Sequence, residues 1–286
     1  MNRIGEVVVT MLGPVIWGTT YIVTTHLLPP GAPLHGALAR ILPAGLLLLL
    51  IVRTLPKGVW IGRAFVLGAL NFAFFMAMLF VSTQRLPGGV AATVGAFQPL
   101  LVVILAPLIL RTPLRPRALA AAAAGVVGVG LLILTPAARL DAVGVAAGFA
   151  GALSMAFGTV LTRLWSASVP PLTMTAWQLA AGGILLAPVA LIFEQAPPPP
   201  TMLNLAGYLW LGLFATIFAY VVWFRGLRRL DATQVAPLAL LSPVTATALG
   251  WLIAGESLGP LRLLGAALTL GAIWASQTGA RPASKS

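Results

Sequence analysis

The sequence predicts an all-α membrane protein with ten transmembrane helices, built as two inverted five-helix repeats. Three observations lead to this fold class: very few charged residues, regularly spaced apolar runs, and similarity between the two halves. Only 8% of the 286 residues are charged and 59% are hydrophobic, whereas soluble domains carry about 25% charged residues. So few polar residues cannot cover a soluble domain of this size, so we expect lipid to surround the chain.

Apolar runs long enough to cross the hydrocarbon core, about 20 residues each, recur along the whole chain. Short connectors rich in proline, glycine and arginine separate them. The first run exceeds the apolar region of a signal peptide, so we expect it to be retained as a span. The predicted spans are residues 5–25, 34–52, 64–82, 89–110, 118–135, 143–163, 173–193, 205–224, 232–254 and 260–278.

Positive charge is distributed unevenly between the connectors. If the spans alternate in direction, 13 of the 17 basic residues fall on the side of the termini, and Arg85, Arg139 and Arg262 fall on the other side. Arg40 lies inside the second span. Cytoplasmic loops carry the excess of Lys and Arg, so both termini are predicted to be cytoplasmic. The net charge of +12 then reflects topology, and no basic stripe interleaved with aromatics indicates nucleic acid.

The two halves of the chain share residues at a constant spacing. Pro99 and Pro243 lie 144 residues apart, and Gly45 and Gly183 lie 138 apart. The loop containing Pro197 to Pro200 accounts for the difference of six. These matches predict an internal repeat, although leucine- and alanine-rich sequences also align by chance.

The repeat predicts an N-terminal unit of residues 1–139 and a C-terminal unit of residues 140–286, joined as one integral membrane body. Each unit has five spans. Because five is odd, the two units must cross the membrane in opposite directions. Inverted repeats are typical of secondary transporters, where the substrate site lies near the bilayer midplane and rocking of the halves alternates access.

Two stretches resemble the EamA-type drug/metabolite transporter superfamily. Residues 13–22, GPVIWGTTYI, resemble its first span, and residues 242–274 resemble its last two spans. Among its members, the chain is most similar to bacterial aromatic amino-acid exporters. The resemblance implies a bacterial inner-membrane protein that exports small organic metabolites. Aromatic or other neutral amino acids, and some cationic drugs, would be its substrates.

One motif departs from the repeat. The second half has Gly255-Glu256 where the first has Arg111-Thr112. Glu256 falls at the end of the ninth span, where an anchoring role suits it better than a role in transport.

Polar and aromatic side chains in the middle of spans are the candidates for a substrate site. Aromatic rings with a few amides and hydroxyls suit a cavity for a flat, amphipathic molecule. The alternatives are interfacial aromatic residues and hydroxyls that bridge helices. The predicted substrate-binding residues are Trp17, Tyr21, Asn71, Phe75, Met78, Phe97, Gln98, Ser154, Trp177, Tyr220 and Ser242.

Three further residues have predicted roles. Pro99 and Pro243 interrupt corresponding spans of the two halves, and paired interruptions point to a transport site with gating kinks; ordinary helix kinks are the alternative. Arg40 is expected to contact a substrate carboxylate, or else to extend its charged head to the membrane interface.

The five carboxylates lie at span ends or in loops, whereas proton-coupled carriers usually hold one inside the membrane. We therefore expect weak or no proton coupling, with a proton-coupled multidrug or metabolite carrier as the alternative. No cofactor or metal is expected, since the chain has no cysteine and two histidines.

Other functions and partners are also considered. A channel stays open as an alternative, whereas a membrane-embedded enzyme would need a catalytic motif such as G-x-S-x-G or H-E-x-x-H, and neither occurs. Small residues in the fifth and tenth spans predict helices that pack outside the transport path or form a homodimer. The expected partners are a small-molecule substrate and the lipid bilayer.

Overall fold

The computed structural model describes residues 3–29, 31–86, 88–133, 141–255 and 257–278, which form helices and their connectors without a β-strand. One label is given to each helical segment, including any π or 3₁₀ turns within it. The segments are α1 (Arg3–Leu27), α2 (Pro33–Val52), α3 (Val59–Gly68, π turn Ala69–Ala73, Phe74–Arg85), α4 (Gly88–Gly95, Gln98–Leu110), α5 (Pro116–Ile133), α6 (Ala142–Trp165, 3₁₀ turn Ser166–Ser168), α7 (Pro171–Phe193), α8 (Met202–Leu209, π segment Trp210–Phe218, Ala219–Arg229), α9 (Ala232–Val235, 3₁₀ turn Ala236–Leu240, Leu241–Ala254) and α10 (Pro260–Thr278).

The outer surface of the bundle is apolar. Within the described ranges, nine helices, α1 to α9, are long and apolar enough to cross a membrane. The last, α10, holds Arg262 and Gln277 near its ends and does not reach that hydropathy. Leu50, Ile192 and Trp274 are 72%, 73% and 70% exposed. Lipid is the solvent that suits such a surface, so the chain is a multi-pass membrane protein.

Helix interruptions occur at matching places of the two halves. Both α3 and α8 contain π-helical turns, at Ala69–Ala73 and Trp210–Phe218. Both α4 and α9 change geometry just before a proline: α4 restarts at Gln98 with Pro99 in its first turn, and in α9 a 3₁₀ turn precedes Pro243. Proline has no N–H to continue a helix but fits its first turn, which explains the restarts.

The helices α2 and α7 cross in close contact. A Cβ atom added to Gly45 would overlap the backbone of Ala180, and one added to Gly183 would overlap Leu42. Gly45 and Gly183 are repeat mates, and each packs on the helix that carries the other. Reciprocal contacts of this kind are expected where a pseudo-two-fold axis passes between two helices.

The helices α5 and α10 pack against each other at one side of the bundle. A Cβ added to Gly128 would overlap Thr269, and one added to Gly265 would overlap Leu132. Small residues, Gly128 and Gly265, therefore bring the two helices into close contact within the chain.

The two ends of the bundle are defined by its contacts. Arg3 donates from Nη2 to the carbonyl oxygen of Gln277 at 2.8 Å, so the start of α1 and the finish of α10 share one end, called the termini end. At the opposite end, called the far end, Glu194 accepts from the backbone N–H groups of Leu34 and His35 at 2.9 and 2.6 Å. This carboxylate caps the otherwise unpaired N-terminus of α2.

Candidate substrate-binding site

A cavity of about 290 Å³ lies between seven helices, α1, α2, α3, α4, α6, α8 and α9. In the described ranges, α5, α7 and α10 contribute no lining residue. Most of its walls belong to the far-end halves of the helices. The lining residues are Trp17, Thr20, Arg40, Phe75, Met76, Leu79, Ala91, Ala92, Gly95, Ala96, Gln98, Pro99, Ala152, Met155, Tyr220, Trp223, Ala239, Leu240, Ser242 and Pro243.

Aromatic rings form one wall of the cavity. The ring of Trp17 lies 4.9 Å from that of Tyr220 and 5.2 Å from that of Trp223, measured between centroids. Phe72 packs edge-on against Tyr220 at 4.8 Å. Edge-on and tilted rings hold one another in place, so this wall offers fixed aromatic surfaces to an aromatic or aliphatic ligand.

The π segment of α8 supplies polar anchors to this wall. The carbonyl oxygen of Ala215 accepts from Trp17 Nε1 and from Arg40 Nη2, both at 3.0 Å, and Thr216 Oγ1 accepts from Arg40 Nε at 3.1 Å. In a π-helix the backbone hydrogen bonds shift from the i→i+4 register, and such segments are frequent at functional sites. Here the segment fixes one aromatic and one cationic side chain on the cavity.

Arg40 brings a positive charge into the cavity. The bonds to α8 use two of the five guanidinium N–H groups, both with neutral acceptors. Over the described ranges, no carboxylate lies within ion-pair distance of it. The ion pairs that are described join His35 to Glu194, Arg85 to Asp141, Arg115 to Asp231, and Arg225 and Arg229 to Glu6. Glu256 falls outside the described residues. An enclosed cation without a counter-ion favours binding of an anion.

The predicted site residues divide into two groups. Those on the cavity are Trp17, Arg40, Phe75, Gln98, Pro99, Tyr220, Ser242 and Pro243. Those away from it are Asn71, Met78, Phe97, Ser154 and Trp177. The side chain of Tyr21 lies outside the described residues, and Arg139 does as well.

Two of the outlying aromatic residues serve packing. Trp177 donates from Nε1 to the carbonyl oxygen of Thr54 at 2.7 Å, and its ring lies 5.6 Å from that of Trp60, near the termini end. Phe97 packs against Phe149 at 6.2 Å. Sequence position alone could not distinguish these rings from those on the cavity.

The lining residues that the sequence did not single out are mostly small. Ala91, Ala92, Ala96, Ala152 and Ala239 carry no chemical signal in a chain rich in alanine. Thr20 and Trp223 could have been predicted from the sequence, because each is a polar or aromatic residue close to a predicted site residue of α1 or α8.

Asn71 and Ser154 belong to a buried polar cluster between α3, α6 and α7. Asn71 donates from Nδ2 to Gln178 Oε1 at 2.7 Å and to Thr162 Oγ1 at 3.2 Å. Ser154 donates to the carbonyl oxygen of Leu70, in the π turn of α3, at 2.9 Å. Asn71 is 2% exposed, so its polar groups are satisfied mainly by protein.

Charged groups lie together at the termini end. Glu6 is buried there, and its Oε1 accepts from Arg225 and Arg229 at 3.0 Å each. A larger cavity of about 500 Å³ at this end is bordered by Arg115, Arg163 and Asp231 among others, and Arg163 donates to carbonyl oxygens at the end of α8. The sequence placed Glu6 at a span end but did not predict its burial.

A helical membrane bundle around a partly polar, aromatic-lined cavity is the architecture of a solute transporter. The chain belongs to the EamA-like transporter family, whose model matches residues 4–134 and again residues 142–276. It is therefore a membrane transporter and not an enzyme.

Several relatives agree with this assignment. Protein PecM of Dickeya dadantii is 44% identical over 91% of this chain and 88% of its own length. A probable amino-acid metabolite efflux pump of Salmonella typhimurium is 28% identical over 95% of this chain and 94% of its own. A crystal structure at 22% identity covers 97% of both chains with a TM-score of 0.82, which supports the fold.

Proposed function

We propose that the chain is a secondary transporter that exports small organic metabolites bearing a carboxylate, with aromatic and other neutral amino acids as the leading candidates. The observation that carries this proposal is Arg40, a guanidinium without a described carboxylate partner in a cavity walled by Trp17 and Tyr220. A guanidinium binds a carboxylate with strong, charge-assisted bonds. The relative described as an amino-acid metabolite efflux pump supports export as the direction.

The same cavity makes cationic drugs weaker candidates. A ligand cation would lie close to the fixed charge of Arg40, and like charges repel more strongly where water is excluded. A cation–π contact with Trp17 offsets only about 0.5–2 kcal/mol.

We further propose ten spans, with α10 as the last, and two inverted halves, residues 1–139 and 140–286. The twofold match of the family model and the reciprocal packing of Gly45 and Gly183 support the repeat. The contact of Arg3 with Gln277 supports an even number of crossings. With the excess of basic residues, this makes the termini end cytoplasmic in a bacterial inner membrane. A homodimer through α5 and α10 stays a prediction.

With that orientation, we propose that the cavity opens outward, because most of its lining lies in the far-end halves of the helices, and that the charged groups around Glu6 restrict the cytoplasmic end. Alternating access then requires the charged groups around Glu6 to separate while the external halves approach each other. Since no described carboxylate lines the cavity, we propose that export follows the substrate gradient with weak or no proton coupling.

A proton-coupled carrier is the second candidate, and one observation favours it. Glu6 is buried, and its Oε2 has no hydrogen-bond partner among the described residues. A buried carboxylate that opens a gate on protonation is a known design for proton coupling.

The test is transport by purified protein in liposomes. Counterflow of labelled L-phenylalanine, L-tyrosine and L-leucine is compared with that of phenethylamine, which keeps the ring and amine of phenylalanine but lacks the carboxylate. We expect saturable counterflow of amino acids and little of the amine. Equal transport of phenethylamine and L-phenylalanine would contradict the proposed role of the carboxylate.

A further inference from the structure

The cavity and the buried polar cluster occupy corresponding positions in the two halves. Arg40 and Gln178 are 138 residues apart, the spacing that relates α2 to α7, and Asn71 and Ala215 are 144 apart, the spacing that relates α3 to α8. Arg40 is hydrogen-bonded to Ala215, and Gln178 is hydrogen-bonded to Asn71. One bonded pair is thus the repeat mate of the other.

The surroundings of the two pairs are similar, with the bonded residues one position out of the repeat register. In the cavity, Trp17 of α1 donates to the carbonyl oxygen of Ala215 in the π segment of α8. In the buried cluster, Ser154 of α6 donates to the carbonyl oxygen of Leu70 in the π turn of α3. In each group, side chains from the first and second helices of one half meet the π-helical part of the third helix of the other half.

The two groups differ in whether their side chains are exposed or buried. Arg40 and Trp17 line the open cavity, whereas Asn71 and Gln178 are 2% and 0% exposed. A Cβ added to Gly158 of α6 would overlap Asn71 Oδ1, so the helices are in close contact here. The cluster is the closed counterpart of an open group.

The closed cluster also contains an unsatisfied donor. Gln178 Nε2 is buried and has no hydrogen-bond partner within the described part of the chain. A buried donor without an acceptor destabilises the folded state, and a group of this kind in a folded protein calls for an explanation. A ligand that supplies an acceptor when the cluster opens would provide one.

We propose that Asn71, Thr162 and Gln178 form a second substrate-contact site, which opens to the termini end when the transporter faces the cytoplasm. The carboxylate of the substrate accepts hydrogen bonds from the amide N–H groups of Gln178 and Asn71. This inference rests on the proposed function, because it requires inverted halves that exchange conformations. Neutral amides bind a carboxylate less strongly than a guanidinium does, so affinity is lower on the cytoplasmic face than on the external face.

Site-specific labelling tests the opening of the cluster. Because the chain has no cysteine, Gln178→Cys and Arg40→Cys each introduce a single thiol for a membrane-impermeant methanethiosulfonate reagent. In vesicles of known orientation, we expect Gln178→Cys to react from the termini end only and Arg40→Cys to react from the far end. A thiol at position 178 that reacts from neither side, in protein whose Arg40→Cys counterpart reacts, would overturn the proposal.

A kinetic measurement separates substrate contact from a packing role. Gln178→Met keeps the length of the side chain and removes its donor. We expect KM for L-phenylalanine to rise about tenfold from the termini end, as for one lost bond to a charged group, with little change from the far end. Equal changes in KM from both ends, or a fall in kcat alone, would indicate a structural residue and contradict the inference.

The two proposals fail in different ways. If no carboxylate substrate is transported by the unmodified protein, the proposed function is wrong. The second site alone is wrong under three conditions: L-phenylalanine is transported, a thiol at position 178 stays unreactive, and Gln178→Met changes KM equally from both ends.

Discussion

Arg40 is held in the membrane interior by neutral acceptors. Its bonds to the Ala215 carbonyl and the Thr216 hydroxyl orient the guanidinium without neutralising it, which leaves its charge available to a ligand. The chemistry of the cavity depends on this residue more than on any ring, because aromatic walls accept many molecules whereas a fixed cation selects anionic groups.

Replacing Arg40 should weaken carboxylate binding in a graded way. We expect Arg40→Gln to raise KM for L-phenylalanine from the far end by about 10- to 100-fold, since bonds to charged groups contribute about 1.5–3 kcal/mol. Arg40→Lys should raise KM less, because lysine keeps the positive charge but lacks the planar guanidinium that donates two parallel hydrogen bonds. Liposome counterflow measures both.

The matched control is Lys57→Gln, which removes an exposed cation from the connector before α3. It should leave KM unchanged. The hypothesis about Arg40 fails if Arg40→Gln and Lys57→Gln give the same KM.

Residue chemistry explains which parts of the cavity could be predicted. Arg40, Gln98 and Trp17 are costly or bulky in a membrane helix, so sequence alone singled them out. Asn71 gave the same signal, yet its donors are satisfied by Gln178 and Thr162 rather than exposed to the cavity. Whether a buried polar group meets protein or solvent depends on partners distant in sequence, which hydropathy does not show.

The helical elements follow the apolar runs closely. The run predicted at 5–25 forms Arg3–Leu27, and that at 143–163 forms Ala142–Trp165. The π turns of α3 and α8 were not predicted, since they change the hydrogen-bond register without changing hydropathy. Tertiary contacts stabilise them, through donors such as Ser154 that bond to the displaced carbonyls.

Because their helix contacts differ, two glycines should differ in how well they tolerate substitution by alanine. Gly128 of α5 faces Thr269 with no room for a Cβ, whereas a Cβ on Gly271 of α10 meets nothing within 4 Å. We expect Gly128→Ala to destabilise the protein by about 1–3 kcal/mol, the usual cost of overpacking. Gly271→Ala should leave stability unchanged or slightly raised.

Thermal unfolding in detergent, followed by circular dichroism, measures both variants. A Tm for Gly128→Ala equal to that of Gly271→Ala would contradict the close packing of α5 on α10.

Ion pairs lie at both ends of the molecule, and two of them involve arginines that the repeat relates. At the termini end, Arg225 and Arg229 bond a buried Glu6 at 3.0 Å. At the far end, Arg85 and Asp141 lie 3.8 Å apart with side chains 51% and 42% exposed. Arg85 and Arg229 are repeat mates, 144 residues apart. Repeat-related arginines therefore form ion pairs at opposite ends of the bundle.

Neutralising Glu6 should open the termini end. Spin labels at Thr112 and Ala167, both exposed beside the cavity there, report the separation of the two halves. We expect Glu6→Gln to lengthen the mean distance between them, because a buried ion pair that loses one partner is strongly destabilised.

Asp141→Asn is the matched control at the far end and should not lengthen that distance. Identical distance distributions for Glu6→Gln and the unmodified protein would show that this cluster does not hold the end closed.

Coupling is also a property of the whole molecule. Because no described carboxylate lines the cavity, we expect a pH gradient imposed on liposomes with equal substrate on both sides to produce no accumulation. Uphill movement that is lost in Glu6→Gln would instead assign the protein to the proton-coupled class, with Glu6 as the proton-binding group.

The reciprocal crossing of α2 and α7 bears on how the two halves move. Gly45 and Gly183 bring the two backbones into close contact, so we expect the halves to rotate about this point rather than slide past each other. In a rotation, displacement grows with distance from the axis. Arg40 lies five residues from Gly45, about 7.5 Å along the helix. We therefore expect the guanidinium to move less than the two openings of the bundle during transport.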